Sequence, residues 1–145
     1  MERDINTIIQ LVVKQARELG ACPLLRGDED LAGLIKVFTS PQGMEFCLRH
    51  RYPNTATFRL FKPFGVERFG IYIDAGDITL KNPNRAILVG RTVGTVACDT
   101  TERHEIVLLN GAKAVVNASK WSVAVIKAGS GCACVKNVSD NAVIL

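Results

Sequence analysis

No apolar run in the 145-residue sequence approaches the ~20 residues that a membrane-spanning helix needs. Insertion of a helix into a bilayer is thereby excluded, and no membrane partner is expected. A basic n-region is missing too. Met1-Glu2-Arg3-Asp4 places acids where an export signal needs cations, and Asn6, Thr7, Gln10, Lys14 and Gln15 interrupt the apolar positions behind it. The expected compartment is the cytoplasm. Nor is there a disulfide framework: Cys22, Cys47, Cys98, Cys132 and Cys134 are odd in number and irregular in spacing, which suits free thiols in a reducing environment. Neither sign of charge dominates, since a net charge of +4 falls well short of a polyanion-binding tail. The chain also lacks a phosphate loop, a nucleophile motif, an assembled metal-ligand set and paired catalytic carboxylates. The expectation is a protein that is not an enzyme and takes no cofactor.

What is present divides into two grammars. Residues 1–145 read as a single domain, long enough to bury roughly 68–70% of the unfolded chain's surface, with a helical capping region over 1–66 and a β-region over 67–145. In the first part Ile5, Ile8, Ile9, Val12, Val13, Ala16 and Leu19 recur at helical spacing, and Gly20 is placed to stop the helix. Asp28 or Asp30 opens a second helix that sends Leu31, Leu34, Ile35 and Phe38 inward. Ser40-Pro41 starts a third with Met44, Cys47 and Leu48 as its stripe. Thr55 to Lys62 forms a short fourth, which Pro63 and Gly65 end.

Beyond Gly70 no helix-favouring stretch of three turns remains, and one unit recurs: GIYIDAGDITLKN, AILVGRTVGTVACDT, EIVLLNGAKAVVNAS, SVAVIKAGSGCACVKN, NAVIL. Ile71 and Ile73, Ile78 and Leu80, Ile87 and Val89, Val123 and Val125 share faces of their strands. Corners are expected at Gly76, Gly90, Gly94, Gly111, Gly129 and Gly131, giving a period of roughly 17–19 residues and about four stacked rungs, the last completed by Ala142 to Leu145. The fold class is therefore α+β, with three to four N-terminal helices capping a short parallel β-solenoid. The alternative is an antiparallel β-sandwich with N-terminal helices, against which stands the single Asn-Gly hairpin signal at Asn110-Gly111.

The run Asn110-Gly111-Ala112-Lys113-Ala114-Val115-Val116-Asn117-Ala118-Ser119, with its neighbours over about residues 70–145, resembles the coils of bactofilins and of adhesin-head-like β-solenoid proteins of Bacteroidetes. That resemblance implies a right-handed parallel β-helix without catalysis. It assigns no functional residue, since bactofilins lack a helical half like residues 5–62 and the adhesin-like proteins are exported.

Several clusters invite chemistry. Cys132 and Cys134 can face one metal with Cys98 a rung or two away, but small apolar filling of a narrow core is the preferred reading. Thr100-Thr101-Glu102-Arg103-His104-Glu105 offers an acid–base histidine, yet without a nucleophile it reads as a solvated corner. Asp74 and Asp77 around Gly76 suit a turn better than a cation. Between residues 49 and 68, Arg49, Arg51, Arg59 and Lys62 interleave with Tyr52, Phe58, Phe61 and Phe64, a pattern that can contact a polyanion; the preferred reading makes the aromatics a packing seam.

A solenoid exposes unpaired backbone at its ends. The helices are expected to cover the first rung, whereas Ala142, Val143, Ile144 and Leu145 carry no polar cap. The expected function is a structural or protein-interaction module that forms a homodimer through this C-terminal rung. A nucleic-acid-binding or accessory regulatory protein using residues 49–68 is the alternative.

Overall fold

The computed structural model describes residues 4–20, 25–26 and 29–145. Cys22 and Asp28, read above as a thiol and a candidate cap, lie outside the described residues. The chain forms two compact units, Met1–Gly65 and Val66–Leu145, helical and β respectively, in an α+β arrangement.

Side-chain caps set the helix starts of the first unit. Asp4 accepts from the Asn6 N–H before α1 (Ile5–Glu18), and Asp30 accepts from Gly33 N–H at 2.8 Å before α2 (Leu31–Phe38). Ser40 Oγ accepts from Gly43 N–H at 3.1 Å at the head of α3 (Pro41–His50), and Asn54 does the same for Thr57 at 2.8 Å before α4 (Thr55–Arg59). Each satisfies a donor that the first helical turn leaves without an intrahelical partner. The fourth helix stops at Arg59 instead of reaching Lys62, because Pro63 disfavours the α conformation at the residue before it; Lys62–Phe64 instead forms a 3-10 turn. Ile8, Ile9, Val12 and Val13 of α1 are buried, and the Tyr52 hydroxyl reaches back to the helix, donating to Gln15 Oε1 at 2.8 Å. Helices α2 and α3 approach so closely that the Val37 carbonyl occupies the place a Cβ on Gly43 would take.

After a 3-10 turn at Val66–Phe69, the second unit is built of nine strands: β1 (Ile71–Ile73), β2 (Gly76–Lys81), β3 (Arg85–Val89), β4 (Thr92–Cys98), β5 (Arg103–Leu109), β6 (Lys113–Ala118), β7 (Val123–Ala128), β8 (Ala133–Val138) and β9 (Val143–Ile144). Odd strands form one sheet in the order β1-β3-β5-β7-β9, and even strands form the other in the order β2-β4-β6-β8. Every pairing is parallel, so the chain is a β-solenoid and the antiparallel sandwich is overturned. Parallel neighbours ordinarily need a long crossover. Here each strand's return path is a strand of the opposite sheet.

The period differs from the 17–19 residues read from sequence. Ile71 pairs with Ile87, a 16-residue step, whereas Arg85 pairs with Glu105 and Val123 with Val143, steps of 20. The four additional residues enter after Cys98, at Asp99–Glu102, and later rungs keep that length. Strands β1 to β8 make four rungs, and β9 opens a fifth instead of completing the fourth. From Leu109 onward the corners are four-residue turns closed by the same backbone bond: Ala112 N–H to Leu109 O at 3.2 Å, and then Ser122 to Ser119, Cys132 to Gly129 and Ala142 to Ser139, each at 3.3 Å. Asn110 (φ 55°) and Gly111 (φ 87°) both take left-handed conformations, so the residues that read as a hairpin signal instead turn the chain from one sheet to the other.

The interior is narrow. Leu88, Ile106 and Leu108 of the odd sheet meet Val96, Cys98, Ala114, Val116 and Ala118 of the even sheet. Gly94 is no corner but an inward position of β4, where a Cβ would stand 2.6 Å from Leu88 Cδ1. Strands β3 and β5 are buried on both faces, since Ile87, Val89, Val107 and Leu109 are as inaccessible as the interior residues between them. Gly94→Ala should lower the unfolding free energy by about 1–3 kcal/mol in a urea titration, the usual cost of overfilling a packed core. Leu88→Ala alone should cost about 2–5 kcal/mol. Combined, they should cost less than their sum; strict additivity would show that the two positions do not compete for one space.

Candidate functional site

The positions of interest lie at the solenoid's last rung, at one corner and on the helices. The four C-terminal residues divide by face. Ala142 is buried, and Ile144 is half-buried over Ala124, so both continue the interior. Val143 and Leu145 point outward and are 45% and 65% exposed. Val143 stacks on Val123, and Leu145 sits beside Val125, held by the bonds from Leu145 N–H to Ala124 O at 2.8 Å and from Ile126 N–H to Leu145 O at 3.1 Å. Trp121, 66% exposed, lies in the turn before β7. Since β9 pairs only with β7, and β8 only with β6, the far edges of both strands have no ladder partner among the described residues.

Two residues of this region escaped the sequence reading. Trp121 sits at a turn, where an apolar residue breaks the usual rule. Lys136 occupies the inward column Leu80–Val96–Val116–Lys136 of the even sheet. Both become legible only with the 20-residue period, which aligns Lys136 with two valines and a leucine.

The Thr100–Glu105 segment is not wholly the solvated corner expected. Thr101, Glu102 and Arg103 are exposed, but His104 is fully buried and Glu105 nearly so. His104 Nδ1 lies 2.8 Å from the Pro83 carbonyl, which only accepts, so the ring carries its proton there and Nε2 meets Thr100 Oγ1 at 3.1 Å. The histidine thus bridges the step between the short first-rung corner and the longer one above it. Glu105 is held between Arg85 Nε and Arg103 Nη1, each at 3.3 Å. At the same corner Asn82 and Asp99 exchange two bonds: Asn82 Nδ2 donates to Asp99 Oδ1 at 2.7 Å, and Asp99 N–H to Asn82 Oδ1 at 2.8 Å. The first of these is the main cause holding the Asp99 carboxyl below its ordinary range; burial opposes it, and Lys81, Lys120 and His104 add to the lowering. Asp74 accepts from Arg91 N–H at 2.9 Å, a turn role.

The described cysteines are free thiols. Cys98 lies in the column of Ala118 and Val138, while Cys134 lies in that of Gly94 and Ala114, so the register does not align them on a common site. Burial pushes the Cys47 thiol up to about 12 and raises Cys98 and Cys134, Lys136 pulling the last weakly the other way. Among the described residues no three His, Cys, Asp or Glu are grouped to hold a metal ion.

On the helical unit Arg49, Arg51, Arg59 and Lys62 are all exposed, and Arg49 pairs with Glu45 at 2.6 Å. Two of their four aromatic neighbours turn inward. Phe58 and Phe61 are buried, and Phe58 meets Phe38 edge-on at 5.8 Å. No helix among the described residues is long and apolar enough to cross a membrane.

Iodoacetamide applied to the native protein should label the partly exposed Cys132 and Cys134 before Cys47 and Cys98, which should react only on unfolding; peptide mapping reads the order. For Asp99, the folded carboxyl titrates below the unfolded one, so its contribution is complete above the ordinary 3.8 and disappears as pH falls through the lowered folded value. Asn82→Ala should therefore flatten the acid-side loss of stability, and an unchanged slope would show that the bond does not bias the carboxyl. No protein-family model, curated protein or solved structure matches this chain.

Proposed function

We propose that this protein is a non-enzymatic interaction module that forms a homodimer through its C-terminal rung, in a reducing cytoplasm that suits its free thiols. The observation that carries this reading is the outer edge of β9, which has no ladder partner among the described residues, together with the exposed Val143 and Leu145, with Trp121 exposed in the turn before β7. An extended edge with apolar alternate side chains takes another strand by backbone bonding, and a two-fold contact uses the same edge twice and then closes. Ala142 and Ile144 support that edge from the interior, whereas Val143 and Leu145 provide the contact. Light scattering should give twice the chain mass for the wild type and the chain mass for Val143→Lys, which replaces an outward side chain and spares the core. A wild type already monomeric at micromolar concentration would sink the proposal.

A second reading has its own observation, the exposure of all four cations on the helices. Exposed charge of this kind binds nucleic acid weakly and in a salt-dependent way. If this reading holds, the protein is retained on heparin or DNA at low salt, and the double reversal Arg49→Glu with Arg51→Glu elutes earlier. Unaltered elution would remove it.

A further inference from the structure

The two sheets end differently. On the odd sheet the inward positions of the last rung are apolar, with Ala142 buried and Ile144 stacked over Ala124. On the even sheet three inward columns reach β8: Ile78–Gly94–Ala114–Cys134, Leu80–Val96–Val116–Lys136 and Cys98–Ala118–Val138. The central column is aliphatic in three rungs and ends on an ammonium in the fourth. Lys136 is exposed, so its stem can lie along the open interior while its head stays in water.

We infer that Lys136 divides the terminal rung into two unlike halves, guarding the β8 half against stacking by a second copy and confining self-association to the β9 half. An inward-pointing charge on an edge strand is how sheets avoid edge-to-edge pairing. A rung laid over β8 would take the ammonium out of water and would have to supply an acid to it. The inward side chains of β8 and β9 in a second copy, Cys134, Val138, Ala142 and Ile144, supply none. The acid in the corner between these strands, Asp140, already accepts from Lys120 N–H at 3.1 Å. A copy laid rung to rung over β8 therefore leaves a charge unpaired or sets it against its like, while the outward side chains offered by β9 and the residue after it, Val143 and Leu145, are apolar. Val135 and Val138, more than half exposed on β8, would otherwise make that half the stickier one.

The second half of this inference rests on the proposed dimer; the first does not. The test compares wild type, Lys136→Leu, Lys136→Met and Lys136→Gln by light scattering over a concentration series, with circular dichroism to establish folding. Because Lys136 is exposed, its replacement removes no core contact, and either apolar variant that folds decides the matter. Both should associate to masses above the dimer, whereas Lys136→Gln should stay at the wild-type mass. Emission from Trp121, the single tryptophan, should shift to the blue as the wild type dimerises. A monomeric wild type with an associating Lys136→Leu would keep the guard and overturn the dimer. A dimeric wild type whose Lys136→Leu and Lys136→Met variants keep the same mass would overturn the guard and keep the dimer.

Discussion

The parallel hydrogen-bond ladder is the constraint from which the second unit follows. Once each residue is paired with the one a rung earlier, every side chain stands in a column, directly over its counterpart in the rung before. The narrow interior follows from this, since Ala114 and Ala118 on one sheet leave room for Leu88, Ile106 and Leu108 on the other. So does the glycine at position 94, the one place in its column where a leucine from across the core takes the volume of a side chain. Ser122 shows how thoroughly the polar groups are absorbed: its hydroxyl, fully buried, lies within bonding distance of the carbonyls of Cys98 and Ser119. Among the described residues no buried side-chain nitrogen or oxygen lacks a partner.

The same constraint separates what was legible in the sequence from what was not. Helix starts at Asp30 and Ser40 are local chemistry and were readable, because a cap and the donor it satisfies lie within three residues of each other. Recurring strands and small corners revealed a solenoid. The period was blurred because a 16-residue first step and later steps of 20 average to neither. Asn110-Gly111 misleads for a physical reason: the turn it makes is the same whether the next strand folds back beside the last or joins another sheet. The choice is made by contacts a rung away. His104 was read as solvated because its partner, the Pro83 carbonyl, is 21 residues distant and unremarkable in sequence.

For the candidate surface the pattern is similar. Arg49 and Arg59 are exposed and Phe58 is buried on helices α3 and α4, as helical spacing suggests, whereas Arg51, Phe61 and Lys62 lie beyond the ends of those helices. The apolar C-terminal strand was visible too, but its division into Ala142 and Ile144 against Val143 and Leu145 needed the register with β7. At Cys47, Cys98 and Cys134 burial disfavours the thiolate, the form that binds metals and attacks electrophiles.

The change in perimeter between the first rung and the rest has a consequence for how the stack finds its alignment. A solenoid of identical coils can slip by one whole coil and still bury its columns, since each coil is an acceptable neighbour for any other. Here one junction is unlike all the others: a short corner at Asn82–Asn84 meets a long one at Asp99–Glu102, and the His104 ring spans the difference to Pro83. Only one coil offers that carbonyl, and only one supplies that imidazole. The junction serves as an index mark from which the remaining coils count their positions.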